Sequence, residues 1–233
     1  MTCNVGGVER RIRILLGILM FGIGVFANLS LIGTAIVLML GGIALATGVI
    51  VGTAGSTNSR ILRSGSAAYV ELMRNTPLLV HRYIWYVALA FLQLPPFMCA
   101  VFALALYSGA YVAEIVRSGI GAVPQGQRLV ALATGLTSAQ ALLLVVYPQA
   151  LRMVTPSLAS ICSQLIKDSS LASVITVAEL TYQASAIEGQ TFRTFEVYIT
   201  ISLLYLLMVT IVTYGFLLVP GARDDLAQRV RDA

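Results

Sequence analysis

Long apolar runs joined by short polar connections dominate this chain. No charged residue occurs in 14–59, 83–113 or 197–222. Each run is longer than the roughly 20 residues that one helix needs to cross a bilayer core of about 30 Å. The pattern therefore predicts helices at about 12–28, 31–53, 66–92, 97–118, 144–181 and 195–219.

Two of these helices leave the number of spans open between five and six. The helix at 144–181 is too long for one straight span and contains Pro148 and Pro156. Proline removes an amide donor and clashes with the preceding turn, so we expect a break or kink there, with a separate short helix beyond it. The helix at 12–28 is short. Another apolar run follows it directly, which favours an uncleaved helix over a signal peptide.

Composition supports a membrane protein. The chain is 58% hydrophobic and 11% charged, and its mean hydropathy is +0.88. Soluble domains carry about a quarter charged residues. We predict an all-α polytopic membrane protein with an N-terminal segment and extra helix at 1–30, a transmembrane domain at 31–220 and a cytoplasmic tail at 221–233.

The positive charges predict the orientation. The net charge of +5 points to anionic lipid headgroups of the bilayer rather than to nucleic acid. If the N-terminus is cytoplasmic, the outer connections near 29, 94–96 and 182–194 hold one arginine, Arg193. Short connections rich in arginine face the cytoplasm, so both termini are predicted on the cytoplasmic side of the membrane. The predicted inner arginines are Arg10, Arg11, Arg13, Arg60, Arg63, Arg117, Arg128 and those at 223–231.

Small residues indicate where two helices meet. Ala44, Gly48 and Gly52 recur every four residues and therefore share one helix face. Small side chains allow two backbones to approach closely in a membrane. We predict a helix–helix contact along this face.

A less apolar segment at 121–141 interrupts the spans. Pro124 is placed to begin a helix, and Gly135 stands where a left-handed helix stop is expected. Thr137 followed by Gln140 is a capping box for a second helix. The segment is therefore predicted as a helix, a glycine corner and another helix at the cytoplasmic surface.

One face of the segment is apolar. Leu129, Leu132 and Leu136 recur at helical spacing. The segment is too polar to span the membrane and too apolar to stand free in water. On pattern alone, it either docks against a partner protein or lies on lipid.

Four motifs in order resemble the permease subunits of bacterial ABC importers for polar amino acids of the histidine, glutamine and arginine type. The resemblance covers about 31–219, most of the chain. The motifs are AYVELMRNTPLLV at 68–80, SGAYVAEIVRSGIGAVPQGQ at 108–127, YPQALRMVTPSLASICSQLIKDSSLASVITVAEL at 147–180 and FRTFEVYITISLLYLL at 192–207.

The resemblance implies a type I importer fold and a set of partners. It implies separate ABC ATPase subunits that bind ATP and magnesium, a second permease copy or homologous permease, and an extracytoplasmic binding protein that delivers the amino acid. Whether the dimer is of like or unlike chains stays open. The chain lacks a G-x-x-x-x-G-K-[ST] phosphate loop, as a subunit that relies on a separate ATPase would.

The resemblance also assigns the segment at 121–141 to ATPase coupling. The family carries a glutamate–alanine–alanine signature followed by a glycine. Aligned on Gly126, Gln127 and Gly135, the chain has Leu129 at the glutamate and Val130 at the first alanine. The charged docking contact is thus missing. The implied coupling residues are Gly126, Gln127, Leu129, Ala131, Gly135 and Leu136.

The N-terminus departs from this family. MTCNVGGVERRIRILLG resembles a small two-helix bacterial inner-membrane domain of unknown function over about 30 residues. A natural fusion, a divergent member and an artificial sequence all remain open.

Polar residues inside the spans are candidate path residues, because ionisable groups in a membrane usually face a cavity or a partner. Arg82 either attracts a substrate carboxylate or forms a structural contact. Lys167, Asp168 and Ser169 either line the translocation path or the dimer seam, or they satisfy contacts with neighbouring helices. The neighbouring His81 is expected to be packed and hydrogen-bonded.

Two acid–arginine pairs with a spacing of three residues are candidate gate or scaffold elements. They are Glu71 with Arg74 and Glu114 with Arg117.

Three function classes remain to be compared. A transporter subunit accounts for all four motifs, whereas a non-transporting scaffold that keeps the fold accounts for Leu129 and the altered N-terminus. An enzyme is disfavoured, because no nucleophile–base set is apparent. Cys3, Cys99 and Cys162 have no metal-binding spacing, so no metal site is predicted.

Overall fold

The computed structural model describes residues 41–57 and 59–217, and these contain helices and no strands. An all-α fold is thus confirmed. The helices are α1 (Gly41–Gly55), α2 (Arg60–Arg74), α3 (Leu78–Ala88), α4 (Pro96–Ala122), α5 (Gln125–Ala133), α6 (Ser138–Ala141), α7 (Tyr147–Ser169), α8 (Leu180–Thr191) and α9 (Thr194–Leu217). A wide π-helical turn at Leu142–Val146 joins α6 to α7 without a break in the chain direction.

Three segments of the described chain are long and apolar enough to cross a membrane. They are Pro96–Ala122, Ser138–Ile175 and Thr194–Gly215. Helix α1 is apolar but shorter. The predicted helix at 12–28 and the first part of 31–53 lie outside the described residues, so the count of five or six spans stays a prediction.

The single helix predicted at 66–92 is wrong, because the chain breaks between α2 and α3. Helix α2 ends at Arg74, and Pro77 caps the start of α3 in an extended conformation. A residue that precedes proline is disfavoured in the helical region, which explains the break. A short 3-10 turn at Ala90–Leu92 then closes the segment.

The break predicted at Pro148 or Pro156 is also misplaced. Pro148 directly follows the π-helical turn at Leu142–Val146, where the chain stays helical, and α7 continues through Pro156. The chain instead breaks after Ser169, in a 3-10 turn at Ser170–Ile175 that ends on Thr176 in the left-handed region (φ 63°). Helix α8 follows, so much of the predicted outer connection at 182–194 is helical.

Helix α4 is central, because α2, α3 and α7 all pack against it. The small-residue face of α1 also meets α4, which confirms the predicted contact. Ala44 is 1% exposed, and a Cβ added to Gly52 would lie 2.5 Å from the carbonyl oxygen of Ala113. A Cβ on Gly48 would collide with Val112.

Side-chain hydrogen bonds to distant elements fix the first helices. Ser66 Oγ donates to the carbonyl of Val51 at 2.8 Å, which joins α2 to α1. Tyr69 Oη donates to the carbonyl of Leu106 at 2.6 Å, which joins α2 to α4. These bonds satisfy polar groups inside an apolar bundle, where an unpaired group would be costly.

Candidate functional site

The segment between α4 and α7 has the local structure predicted for it. Gly135 adopts φ +90°, a conformation that favours glycine. The amide of Thr137 donates to Gln140 Oε1 at 2.9 Å, and the amide of Gln140 donates to Thr137 Oγ1 at 3.3 Å. Both bonds of the capping box are therefore present, and the helix–corner–helix prediction is confirmed.

Helix α5 presents an apolar face outwards. Leu129 and Val130 are both 64% exposed, whereas Ala131 is buried against the rest of the segment. Leu132 is exposed and Leu136 is half-buried, so the predicted leucine face does not pack into the described part of the protein. Gly126 and Gln127 lie exposed in the first turn of α5. An exposed apolar helix face of this kind is typical of a surface that binds an apolar partner.

A second group of polar residues lies at the break between α7 and α8. Arg82 is 0% exposed, and its Nη2 donates to the backbone carbonyl of Asp168 at 2.6 Å. The Asp168 carboxylate points elsewhere and accepts from Gln164 Nε2 at 2.8 Å. Arg82 thus contacts the backbone at the end of α7, whereas the sequence left either a substrate carboxylate or a structural contact open.

The remaining predicted path residues lie at the same end of α7. Lys167 is exposed, while Asp168 and Ser169 are half-buried. Ser169 Oγ donates to the carbonyl of Ile166 at 2.7 Å. No ion pair joins Lys167 to Asp168 within the described residues. The three side chains are available on the outside of this helix end.

Two residues that the sequence reasoning did not single out complete the break. Glu179 accepts from the amides of Thr181 at 2.9 Å and Tyr182 at 2.7 Å, and so caps α8. Tyr205 Oη on α9 donates at 2.9 Å to Glu179 Oε2, the oxygen that also accepts from the amide of Thr181. An acid just before a helix is a sequence signal for a cap, but the expected continuous helix at 144–181 hid it.

The two acid–arginine pairs differ. Arg117 Nη2 lies 2.5 Å from Glu114 Oε1, so this predicted pair is present near the end of α4. Arg74 lies 5.1 Å from the centre of the Tyr111 ring, and no ion pair joins it to Glu71 in the described chain. The cation–π contact ties α2 to α4 instead.

Tyrosines and a histidine extend this contact toward α3. Tyr111 and Tyr107 share a hydrogen bond of 3.1 Å between their hydroxyls. The Tyr107 ring packs against His81, and His81 bonds Thr76 at the joint between α2 and α3. His81 is therefore packed and hydrogen-bonded, as predicted.

The described chain thus combines a central helix α4, an exposed helix corner between α4 and α7, and a break between α7 and α8. A family model described as "Binding-protein-dependent transport system inner membrane component" matches residues 44–231. The chain belongs to this family. A second model, "Inner membrane protein YgaP-like, transmembrane domain", matches residues 1–52, which confirms the predicted resemblance of the N-terminus.

Several permease proteins are similar to this family member. The probable glutamine ABC transporter permease protein GlnM of Bacillus subtilis is 38% identical over 150 residues, which cover 64% of this chain and 69% of that protein. The glutamine transport system permease protein GlnP of Escherichia coli is 34% identical over 174 residues, covering 73% and 80%. The octopine transport system permease protein OccM of Rhizobium radiobacter is 36% identical over 211 residues, covering 84% and 85%.

Solved structures agree with this family. A crystal structure of "an amino acid ABC transporter with histidines" has a TM-score of 0.72 and 30% identity, covering 93% of this chain and 97% of that one. An inward-facing methionine ABC transporter has a TM-score of 0.68 at 18% identity, covering 83% and 91%, and supports the fold alone. The predicted type I importer fold and transporter-subunit class are confirmed. The scaffold alternative has no support among these proteins.

Proposed function

We propose that this permease moves polar amino acids into the cytoplasm, driven by ATP hydrolysis on separate subunits. The observation that supports this most directly is the similarity to amino-acid permeases along most of the chain, combined with the exposed apolar helix α5. A permease dimer, of like or unlike chains, would form the pathway. A binding protein outside the membrane would deliver the substrate, with both permease termini in the cytoplasm.

Helix α5 is the element we propose to dock on the ATPase. Its exposed Val130 would enter a groove of the partner, and Ala131 and Gly135 would hold the corner rigid. Burial of that valine side chain would contribute about 1.5–3 kcal/mol. Leu129 would lie at the solvent-exposed rim of the contact, where relatives that carry the signature have a glutamate, so its own burial would contribute little.

Restoring that charge gives a direct test of the docking proposal. We expect Leu129→Glu to strengthen association with the cognate ATPase by about 3- to 10-fold, because one exposed charge pair contributes about 1 kcal/mol of binding free energy. Pull-down of the ATPase by the solubilised permease measures this. Ala122→Glu, at an exposed position at the end of α4, is the matched control, because it adds the same charge outside the docking helix. Unchanged binding by Leu129→Glu would show that the missing charge is not what limits coupling.

Lys167, Asp168 and Ser169 are proposed to line the translocation path at the end of α7. Their exposed or half-buried positions leave them accessible to a substrate between two permease copies. A carboxylate and an ammonium group side by side match the two charges of an amino acid. Glu71, Arg74, Glu114 and Arg117 would then act nearer the cytoplasmic end, as gate or scaffold residues.

Uptake of labelled amino acids tests the proposed function. Cells that carry the permease with its ATPase and binding protein should accumulate at least one polar L-amino acid, tested as a panel that includes glutamine, histidine and arginine. Cells without the permease are the control. The absence of uptake for the whole panel, with all three proteins present in the cell, would contradict an amino-acid importer.

A further inference from the structure

The break between α7 and α8 lies inside the membrane-spanning part of the protein. Glu179, just before α8, is hydrogen-bonded to Tyr205. Tyr205 is near the middle of the span Thr194–Gly215, 11 residues from its start and 10 from its end. The start of α8 therefore lies level with the middle of that candidate span, where backbone groups cannot rely on bulk water.

Helix ends carry unpaired backbone groups and partial charge. The carbonyls at the end of α7 make that end negative, and the amides at the start of α8 make that end positive. Each end is met by a side chain of opposite charge. Arg82 donates to the carbonyl of Asp168, while Glu179 accepts from the amides of Thr181 and Tyr182.

We propose that Arg82 and Glu179 are positioning residues that neutralise the end of α7 and the start of α8 and thereby hold Asp168 at the translocation path. Arg82 reaches the break from α3, 86 residues away along the chain, so it fixes the end of α7 to another helix. Glu179 and Tyr205 fix the start of α8 to α9. The role in transport rests on the proposed function; the neutralisation of the helix ends does not.

The surroundings of Arg82 favour positioning over contact with substrate. The side chain is 0% exposed, and the bond to Asp168 occupies Nη2. Its Nε and Nη1 have no hydrogen-bond partner among the described residues. A buried guanidinium with two unpaired donors is costly unless negative charge nearby offsets it, and Glu179 at the same break supplies such a charge. Loss of the Glu179 charge should therefore weaken the break.

Kinetics of the complete transporter separate the two roles. The permease with its ATPase and binding protein, in vesicles, is assayed for L-glutamine uptake, with Arg82→Met, Arg82→Lys and Glu179→Gln compared. Positioning predicts a fall of at least about tenfold in maximal rate for Arg82→Met with the half-saturating glutamine concentration nearly unchanged. Arg82→Lys should restore a large part of the rate, because it keeps the positive charge. Arg152→Met, at an exposed arginine on α7, should behave like the parent.

Three kinetic results would contradict the positioning role of Arg82 and Glu179. A half-saturating concentration that rises tenfold with an unchanged maximal rate would mean that Arg82 binds the substrate. Rates that stay at the parent level in Arg82→Met and in Glu179→Gln would remove the positioning role. Equal failure of Arg82→Lys and Arg82→Met would show that packing, and not charge, matters at this position.

A second measurement needs no substrate and so distinguishes failure of this inference from failure of the proposed function. Ser170→Cys is introduced next to the end of α7 in a chain whose three native cysteines are replaced by alanine. Positioning predicts that maleimide labels this cysteine about tenfold faster in Arg82→Met, because the end of α7 frays, and at the parent rate in Arg82→Lys. Unchanged labelling in Arg82→Met would overturn the inference.

Discussion

Replacing Gly52 by leucine is expected to remove most of the correctly folded permease from the membrane. Even a single Cβ at this position would lie 2.5 Å from the carbonyl oxygen of Ala113 and 3.0 Å from the Cβ of Val116. Both atoms belong to α4, the helix against which α2, α3 and α7 pack. Backbone atoms cannot move aside as a flexible side chain can, so α1 would have to separate from α4.

We expect Gly52→Leu to lower the free energy of unfolding by more than ordinary overpacking of a core does. Extra methylenes in a packed core cost about 1–3 kcal/mol, and a clash with backbone lies at or above the upper end. Gly42→Leu is the matched control on the same helix, because a Cβ at Gly42 meets no atom of the described residues within 4 Å. Fluorescence-detected gel filtration of the solubilised protein measures the folded fraction. Equal recovery of the two variants would contradict the close packing of α1 on α4.

Asp168→Ala is expected to abolish most uptake while leaving the protein in the membrane. The substitution removes the carboxylate that we propose to face substrate, but it keeps the backbone carbonyl that accepts from Arg82 at 2.6 Å. The fold at the break should therefore persist. Uptake should fall at least about tenfold, because the variant loses one charge-assisted hydrogen bond to the substrate, which contributes about 1.5–3 kcal/mol.

Transport and membrane level have to be measured together for this variant. We expect the amount of permease in the membrane to change less than about twofold, since no described ion pair is lost. Glu196→Ala, at an exposed acid on α9, is the matched control and should transport normally. A parallel loss of uptake and membrane level in Asp168→Ala would make Asp168 structural.

Features that depend on near neighbours along the chain were predictable from the sequence. The capping box at Thr137 and Gln140 needs only two residues three apart, and Gly135 stops α5 through its own backbone freedom. The small face that includes Gly52 was apparent for the same reason. Its partner helix was not, because spacing along one helix carries no information about the surface opposite.

Features that depend on distant residues were not predictable. The helix expected at 144–181 ends where Arg82, on another helix, supplies a hydrogen bond to the carbonyl of Asp168. A break or kink is expected at Pro148 and Pro156, yet α7 continues through Pro156 because neighbouring helices support the span. Pro77 marks a break between α2 and α3 that the single helix expected at 66–92 does not include.

ATP hydrolysis by the complete transporter in lipid vesicles tests the central proposal most directly. The permease is reconstituted with its ATPase and binding protein, and hydrolysis is measured with and without each polar L-amino acid. The proposed function predicts that at least one amino acid stimulates hydrolysis, and that the stimulation disappears when the permease is left out. If every polar amino acid leaves hydrolysis at its basal rate, the chain is not an amino-acid importer subunit.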